Sequence, residues 1–322
     1  MNRIRELAGW LEARDDIAIV SHVNPDGDAV GSSLGVMFAL EQLGKRCFVS
    51  LAEPAPETYR YLPRFDSIVL PEDAPFAPRY VLVVDCAGRD RVGSAVSLID
   101  GAEGFASLDH HRTSEPYGEV SVLDISAAAT AELIMRLIDA LGVELTPGIA
   151  LCLYTGIIYD TGNFAHSNTT AQTLRYAARC ADFGLDVASL NYRLFRERSA
   201  SRTRLLGNAL SGIEYLHAGR VALIRVTAAM KRACGATSED TEKIVNYGVE
   251  TVGVEVSLLA EEIEGGTQLA LRSRAYVDVS AVAAALHGGG HARASGATVK
   301  RPMEAVIRDA LALIGRALEA GV

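Results

Sequence analysis

Aspartates and histidines in the first half of the chain have the types and the spacing that a metal centre needs. The string SHVNPDGDAVGS carries His22, Asp26 and Asp28 and follows a short apolar run that predicts a β-strand. Side chains just beyond a strand of an open α/β sheet lie at the edge where ligands gather. Gly27 lets the backbone turn between the two aspartates, so that each carboxylate can face a different metal ion. Alone, this pattern is equally typical of a solvated turn.

Three further strings place similar side chains at the ends of apolar segments. Asp85 ends the run YVLVVD, where burial makes a carboxylate costly unless a cation or several donors accompany it. Asp109, His110 and His111 follow the run FASL, and an aspartate beside a histidine can fix the imidazole tautomer that a metal needs. Asp160 ends the apolar segment ALCLYTGIIYD. Singly, these residues also suit caps or surface turns, but four such ends in one domain indicate a common site.

The chemistry of these side chains favours a hard divalent cation. Carboxylate and imidazole ligands without a thiolate suit Mn²⁺ or Mg²⁺ better than a structural zinc ion. The five cysteines are scattered without a CxxC pair, and we predict that they are buried, reduced thiols.

The elements that must position these residues alternate between strand and helix. This alternation predicts an α/β domain at 1–185, with a mostly parallel sheet covered by helices on both faces. A run of helices follows, and we assign 186–212 as a helical linker. Beyond it, strand patterns and a hairpin at Gly265-Gly266 predict a smaller α+β domain at 213–322.

Composition limits the partners. The chain has 31 basic and 40 acidic residues, and its net charge of -9 has the wrong sign for gripping long duplex nucleic acid. Neither a basic-then-apolar leader nor an apolar run of membrane-spanning length is visible, so we predict a cytoplasmic protein without membrane contact. The amphipathic segment ATAELIMRLIDALG either covers the sheet or forms a homodimer interface.

The C-terminal part carries a glycine cluster beside basic residues. Glycines allow backbone N–H groups to approach an anion, and arginine or histidine adds donors and charge. The candidates for phosphate binding are Arg272, Ser273, Gly288, Gly289, Gly290, His291 and Arg293. A plain glycine-rich hairpin is the alternative.

Together these strings resemble a known family. SHVNPDGDAVGS, VVDCAGRD, LDHHRTS and YDTGNF are similar to the four successive motifs of the DHH phosphoesterases. ALRSR and GGGHARASG resemble the second domain of the NrnA-like branch, which comprises bifunctional oligoribonucleases and 3′-phosphoadenosine 5′-phosphate phosphatases. The resemblance spans nearly the whole chain. One departure is His287, which stands where such relatives often have a further glycine.

The resemblance implies a dinuclear metal site for two divalent ions, Mn²⁺ first and Mg²⁺ as the alternative. The implied ligands are His22, Asp26, Asp28, Asp85, His110 and Asp160. His22 and Asp26 would bind one ion, and Asp28, His110 and Asp160 would bind the other. Asp85 would bind both. Asp109 would orient His110, and His111 would face the scissile phosphate.

The implied activity is hydrolysis of short RNA oligonucleotides and linear dinucleotides such as pApA to mononucleotides, and dephosphorylation of 3′-phosphoadenosine 5′-phosphate. Cyclic dinucleotides are a further alternative substrate. A manganese inorganic pyrophosphatase shares the N-terminal motifs but not the second-domain strings, and a processive RecJ-like exonuclease conflicts with length and charge. A non-catalytic nucleotide sensor is the alternative from another class.

Overall fold

The computed structural model describes residues 2–111 and 113–320. The chain divides into two compact units, Met1–Glu197 and Arg198–Val322. This division falls inside the range 186–212, which the sequence predicts to be a helical linker, and most of that range is helical. Within the described residues, no helix has both the length and the apolar character that crossing a bilayer requires.

The first unit is built on an all-parallel, five-stranded sheet, which confirms the predicted fold class. Its strands are β1 (Ile17–Val20), β2 (Cys47–Ser50), β3 (Tyr80–Val84), β4 (Gly104–Asp109) and β5 (Val120–Leu123). They lie in the order β2-β1-β3-β4-β5. The chain therefore reverses its direction of travel across the sheet between β1 and β3, and such a reversal leaves a crevice at the carboxyl ends of the strands.

Helices cover both faces of this sheet, as the sequence predicts. They are α1 (Asn2–Glu12), α2 (Gly27–Gln42), α3 (Val96–Gly101), α4 (Thr130–Leu141), α5 (Pro147–Asp160), α6 (Ala171–Ala181) and α7 (Val187–Asn191). Successive strand residues point to opposite faces, so Ile17 and Ile19 join the large core under α1, α2, α4 and α5. Ala18 and Val20 pack in a second cluster with α3. Most of α4 is buried within this unit, so covering the sheet accounts for its apolar character.

Three glycines spaced four residues apart bring α2 and α5 close together. A Cβ atom on Gly31 would clash with the carbonyl oxygen of Cys152, and one on Gly35 would lie 2.8 Å from the Leu153 side chain. A Cβ atom on Gly27 would lie 2.8 Å from the Tyr159 side chain. Gly27 is thus the first residue of α2 and serves packing, whereas the sequence had suggested a turn. This packing places the start of α2 beside the end of α5.

The second unit is the predicted smaller α+β domain, with helices on both faces of a mixed sheet. Its strands are β6 (Glu214–Leu216), β7 (Val221–Val226), β8 (Val256–Ile263), β9 (Gly266–Ser273), β10 (Gly289–His291) and β11 (Ala294–Val299), in the order β10-β11-β9-β8-β7-β6. Its helices are α8 (Ala200–Ser211), α9 (Ala228–Cys234), α10 (Ile244–Val249), α11 (Val279–Ala285) and α12 (Met303–Ala320). Helices α11 and α12 pack on one face of the sheet, and α8 and α10 pack on the other.

Two local features of this unit bear on the sequence-based expectations. The β8–β9 hairpin turns at Glu264 and Gly265, because Gly266 already pairs with Ile263 as the first residue of β9. His287, just before β10, has a φ of 60°, in the left-handed region that favours glycine. This backbone geometry explains why a glycine suits position 287.

The close approach of α2 and α5 predicts that Gly31→Ala destabilises the first unit. The added methyl group has no space against the Cys152 carbonyl oxygen, so the free energy of unfolding should fall by about 1–3 kcal/mol. Gly9→Ala is the matched control, because Gly9 lies at an exposed position of helix α1 with open space around it. This substitution should raise stability by about 0.5–1 kcal/mol. Trp10, the single tryptophan, is buried in the same unit and reports urea unfolding by fluorescence. Equal effects of the two variants would contradict the packing.

The left-handed backbone at His287 predicts that His287→Gly stabilises the β10–β11 hairpin by about 1 kcal/mol. His287→Ala keeps the steric cost of a Cβ atom and should change stability by less than about 0.5 kcal/mol. Hydrogen exchange of peptides spanning residues 279–299 measures the difference. Slower exchange in the alanine variant as well would show that the histidine side chain, and not the backbone, is the cause.

Candidate active site

Three of the predicted site residues follow the central strands of the first unit and lie at one edge of the sheet. Strands β1, β3 and β4 are neighbours and parallel, so their carboxyl ends meet. His22 follows β1, Asp85 directly follows β3 and His110 directly follows β4. The sheet topology therefore gathers side chains that are far apart in the sequence.

Two helix ends supply the remaining carboxylates. Asp26 is the N-cap of α2 and accepts hydrogen bonds from the backbone N–H groups of Asp28 and Ala29, at 3.0 and 3.1 Å. Asp28 lies in the first turn of the same helix. Asp160 is the last residue of α5, where its carboxylate adds to the partial negative charge of the helix end. That position is unfavourable for an aspartate unless a cation lies nearby.

The structure brings all six predicted ligands together in three overlapping groups. Within each group, one potential ligand atom per residue lies within 4.8 Å of the others. The groups are His22 with Asp26 and Asp85, Asp28 with His110 and Asp160, and Asp85 with His110 and His111. Asp85 belongs to two of the groups, and His110 also belongs to two, so these two residues link the three groups.

Backbone carbonyl groups fix the tautomers of both predicted histidine ligands. Nδ1 of His22 lies 2.8 Å from the carbonyl oxygen of the next residue, and Nδ1 of His110 lies 3.2 Å from that of Ala127. A carbonyl oxygen only accepts hydrogen bonds, so Nδ1 is the protonated nitrogen in each ring. Nε2 of His22 lies 3.5 Å from Asp85, and Nε2 of His110 lies 3.0 Å from Asp160. In the neutral rings, lone pairs would face carboxylates, which requires a proton or a metal ion between them.

The carboxylates crowd one another in a buried environment. Asp28 is fully buried, and burial together with the charges of Asp85 and Asp160 raises its pKa well above the usual value. The same causes raise the pKa of Asp26 to about 7. Burial also raises the pKa of Asp160, against the opposing hydrogen bond from His110. The cluster therefore resists full ionisation when no cation is bound.

The neighbouring carboxylates favour the protonated, charged form of the two imidazoles. Burial opposes protonation of His22, but the hydrogen bond and charge of Asp85 outweigh it and raise the pKa to about 9. Burial likewise opposes protonation of His110, but Asp160, Asp28 and Asp85 raise its pKa to about 10. In return, the histidines overcome the burial of Asp85 and lower its pKa. At neutral pH the metal-free site thus holds protons where a metal would form bonds.

This donor set fits a divalent cation. Four carboxylates and two correctly oriented imidazoles converge with an excess of negative charge, and hard oxygen with nitrogen ligands is the set that Mn²⁺ and Mg²⁺ accept. The residues can hold metal ions.

The structure pairs Asp109 with His111, and not with His110 as expected. Nδ1 of His111 lies 2.7 Å from the Asp109 carboxylate, and this hydrogen bond, against the effect of burial, raises the pKa of His111. The carbonyl group of Ala127 orients His110 instead. His111 is the most exposed of the clustered imidazoles, with 41% of its side chain accessible, whereas 13% of the His22 side chain is.

In the second unit, three of the predicted substrate-binding residues share one end of the sheet. Arg272 and Ser273 end β9, and Arg293 lies in the β10–β11 turn. Nη1 of Arg293 donates to the Ser273 hydroxyl at 3.3 Å and to the carbonyl oxygen of Val277 at 2.8 Å. Arg272 is half-buried, and burial lowers its pKa. No carboxylate among the described residues lies within ion-pair distance of Arg272.

The glycine cluster forms a strand and not a loop. Gly289, Gly290 and the exposed His291 make up β10, an edge strand paired with β11. A Cβ atom on Gly288 would clash with the carbonyl oxygen of Gly296, and Gly290 has a φ of 137°. Close strand pairing therefore explains two of the glycines, and phosphate binding by this hairpin stays a prediction.

Sequence reasoning missed Thr130, the first residue of α4. It is fully buried, and its hydroxyl donates to Asp85 at 2.9 Å. Its backbone N–H group donates to Asp28 at 2.5 Å. The surrounding string SAAATA carries no charged or metal-binding side chain and gave no signal.

Family models match both units. The model of the "DHH family, N-terminal domain" matches residues 16–157, and the DHHA1 domain matches residues 225–320. The chain is 39% identical over 300 residues to the bifunctional oligoribonuclease and PAP phosphatase NrnA of Thermus thermophilus, covering 92% of this chain and 89% of the relative. The Bacillus subtilis protein of the same name is 26% identical, with 91% and 92% covered.

A solved structure of similar size has the same fold throughout. It is an exopolyphosphatase-related protein from Bacteroides fragilis, with a TM-score of 0.90 and 27% identity, covering 99% of this chain and 96% of that one. With the family models, the motif-bearing strand ends and a 39% identical relative in agreement, the chain belongs to the DHH phosphoesterase family.

Proposed function

We propose that the protein is a metal-dependent phosphoesterase that hydrolyses short RNA oligonucleotides and linear dinucleotides to mononucleotides and dephosphorylates 3′-phosphoadenosine 5′-phosphate. The observation that carries the proposal is the six-residue cluster in which Asp85 joins two ligand groups. The names of the Thermus and Bacillus relatives, each similar over about nine-tenths of the chain, support the choice of substrates.

The proposed cofactors are two divalent ions, with Mn²⁺ preferred to Mg²⁺. His22 and Asp26 would hold one ion, and Asp28, His110 and Asp160 the other. Asp85 would hold both, because it belongs to the first group and its Oδ1 lies 3.6 Å from Nε2 of His110. When bound, such a pair supplies a hydroxide nucleophile at neutral pH and neutralises charge on the phosphoryl oxygens.

His111 is suited to act on the substrate. Asp109 binds Nδ1 of this ring, which leaves Nε2 available on the most exposed imidazole of the cluster. Because the carboxylate raises the pKa of His111, the ring holds a proton more readily than a free histidine. It can donate this proton to a phosphoryl oxygen or to the leaving alkoxide.

The second unit offers a site for a further anionic group of the substrate. Arg272 is half-buried without a carboxylate partner among the described residues, and burying an unpaired charge is unfavourable. A phosphate group would supply the missing negative charge through charge-assisted hydrogen bonds. Ser273 and Arg293 lie at the same end of the sheet and would extend this contact.

Replacing the shared carboxylate tests the function. Asp85→Asn should lower turnover of a 5′-labelled RNA dinucleotide with Mn²⁺ by more than about 100-fold, since changing residues that only orient metal ligands already costs about 10–100-fold. Asp186→Asn is the control, because Asp186 is an exposed cap of α7 and asparagine also caps helices. Parallel assays use 3′-phosphoadenosine 5′-phosphate and pyrophosphate.

The pattern of substrates decides between the candidate activities. Turnover of the dinucleotide or the bisphosphate that disappears in Asp85→Asn supports the proposal. Full activity of Asp85→Asn contradicts the metal site. Pyrophosphate as the sole substrate indicates a pyrophosphatase, and no turnover of any of the three indicates a nucleotide-binding protein without catalysis.

Metal affinity should depend on pH because protons occupy the site in the metal-free protein. His22 and His110, with pKa values raised to about 9 and about 10, are protonated at neutral pH and must lose protons to bind a metal. Lowering the pH keeps the protons in place, so Mn²⁺ affinity should fall from pH 8.5 to pH 6, by up to about tenfold per unit for each proton displaced. Calorimetric titration in buffers of different ionisation enthalpy counts the released protons. An affinity that is constant over this range would refute the assignment of these histidines as ligands.

A further inference from the structure

We propose that Thr130 is a positioning residue of the metal centre, which holds the carboxylates of Asp28 and Asp85 in the orientation that metal binding requires. Thr130 is not a ligand and would not touch the substrate. The inference rests on the proposed metal site and assigns a role to a residue outside the ligand set.

The geometry gives Thr130 a contact with each carboxylate. Its hydroxyl donates to Oδ1 of Asp85 at 2.9 Å, and its N–H group donates to Oδ2 of Asp28 at 2.5 Å. The next N–H group, that of Ala131, donates to Oδ1 of Asp28 at 3.0 Å. All of these bonds are buried. One residue therefore connects an aspartate at the start of helix α2 with an aspartate at the end of strand β3.

Both carboxylates need such support. Asp85 has a φ of 53°, an unfavourable conformation for a residue with a Cβ atom, so its neighbours must hold it in place. Asp28 is fully buried and repelled by Asp85. The N–H groups at the start of α4 have no partner within their own helix, and the N-cap Ala129 offers no side-chain acceptor. Asp28 caps α4 from a different helix and gains from its dipole.

The carbonyl groups of two residues before Thr130 are linked by hydrogen bonds to two other predicted ligands, one directly and one through a side chain. The carbonyl of Ala127 accepts from His110, as described above. The carbonyl of Ala128 accepts from the Asn168 side chain at 3.0 Å, and the same amide group donates to the carbonyl of Asp160 at 3.2 Å. Thr130 carries the one polar side chain in the run 127–131, whose other members are alanines. Its hydroxyl is therefore the contact of this segment that a substitution can remove selectively.

A purely structural role makes a different prediction. If the hydroxyl only satisfied a buried acceptor, its loss would lower stability without a specific effect on metal binding. If it positions Asp85, the loss would weaken metal binding beyond the change in stability, as expected for residues that orient metal ligands. Metal affinity of the folded, metal-free protein separates the two roles.

The experiment compares Thr130→Val, which keeps the shape and the backbone N–H group, with Thr130→Ser, which keeps the hydroxyl. Calorimetric titration of the metal-free full chain with Mn²⁺ should show about 10–100-fold weaker binding for the valine variant. The serine variant should bind within about threefold of the unmodified protein. Thr155→Val is the matched control, because Thr155 is a buried threonine in the same unit whose hydroxyl bonds to Tyr61 and Leu151. It should lose stability but keep its Mn²⁺ affinity.

Each outcome bears on one of the two proposals. If the unmodified protein binds no Mn²⁺, the metal site itself is wrong, and the inference falls with it. If the unmodified protein binds and Thr130→Val binds equally well, only the role of Thr130 is overturned. Equal weakening by valine and serine also overturns it, because the hydroxyl would not be the cause. Should the valine variant fail to fold, as judged by circular dichroism, Thr130→Ala replaces it in the same comparison.

Discussion

The repulsion among four neighbouring aspartates is the constraint on which the structure of the first unit depends. Asp26, Asp28, Asp85 and Asp160 converge at one edge of the sheet, and burial, together with their mutual repulsion, raises the pKa values of Asp26, Asp28 and Asp160. Folding can tolerate this cluster only where donors compensate it. The starts of α2 and α4 supply N–H groups, and the histidines supply protons that a metal ion would replace.

The fold meets this constraint with rigid elements rather than loops. Parallel neighbours β1, β3 and β4 end at the same edge, so their terminal side chains meet without a long connection. The glycine face of α2 allows α5 to come close enough for Asp160 to join from the other side. A Cβ atom on Gly156 of α5 would clash with the Asp28 carboxylate itself. The placement of these ligands therefore depends on the packing of α2 against α5. A change that separates the two helices would also separate the ligands.

Local rules predicted which residues would lie close together better than which of them would form hydrogen bonds with one another. The strand-end aspartates were recognisable because apolar runs stop at them, and parallel strands share an edge. The predicted pairing of Asp109 with His110 was wrong because side chains alternate along an extended chain. Asp109 and His111, two residues apart, lie on one side, while His110 points to the other. Thr130 lies 45 residues from Asp85 and 102 from Asp28, and no local pattern encodes contacts of that separation. The predicted linker contains helix α8, whose buried residues Leu205 and Ala209 pack in a core cluster of the second unit, and this packing also depends on residues distant in the sequence.

In the second unit, backbone geometry explains part of the glycine cluster. Strand pairing accounts for Gly288 and the φ angle for Gly290, so the glycines alone do not indicate a phosphate site. Arg272 carries more weight, because burial disfavours its charge and no described carboxylate balances it. The two units thus have complementary imbalances, an excess of buried carboxylate in one and a half-buried, uncompensated guanidinium in the other. A metal ion would balance the first imbalance, and an anionic group such as a phosphate would balance the second.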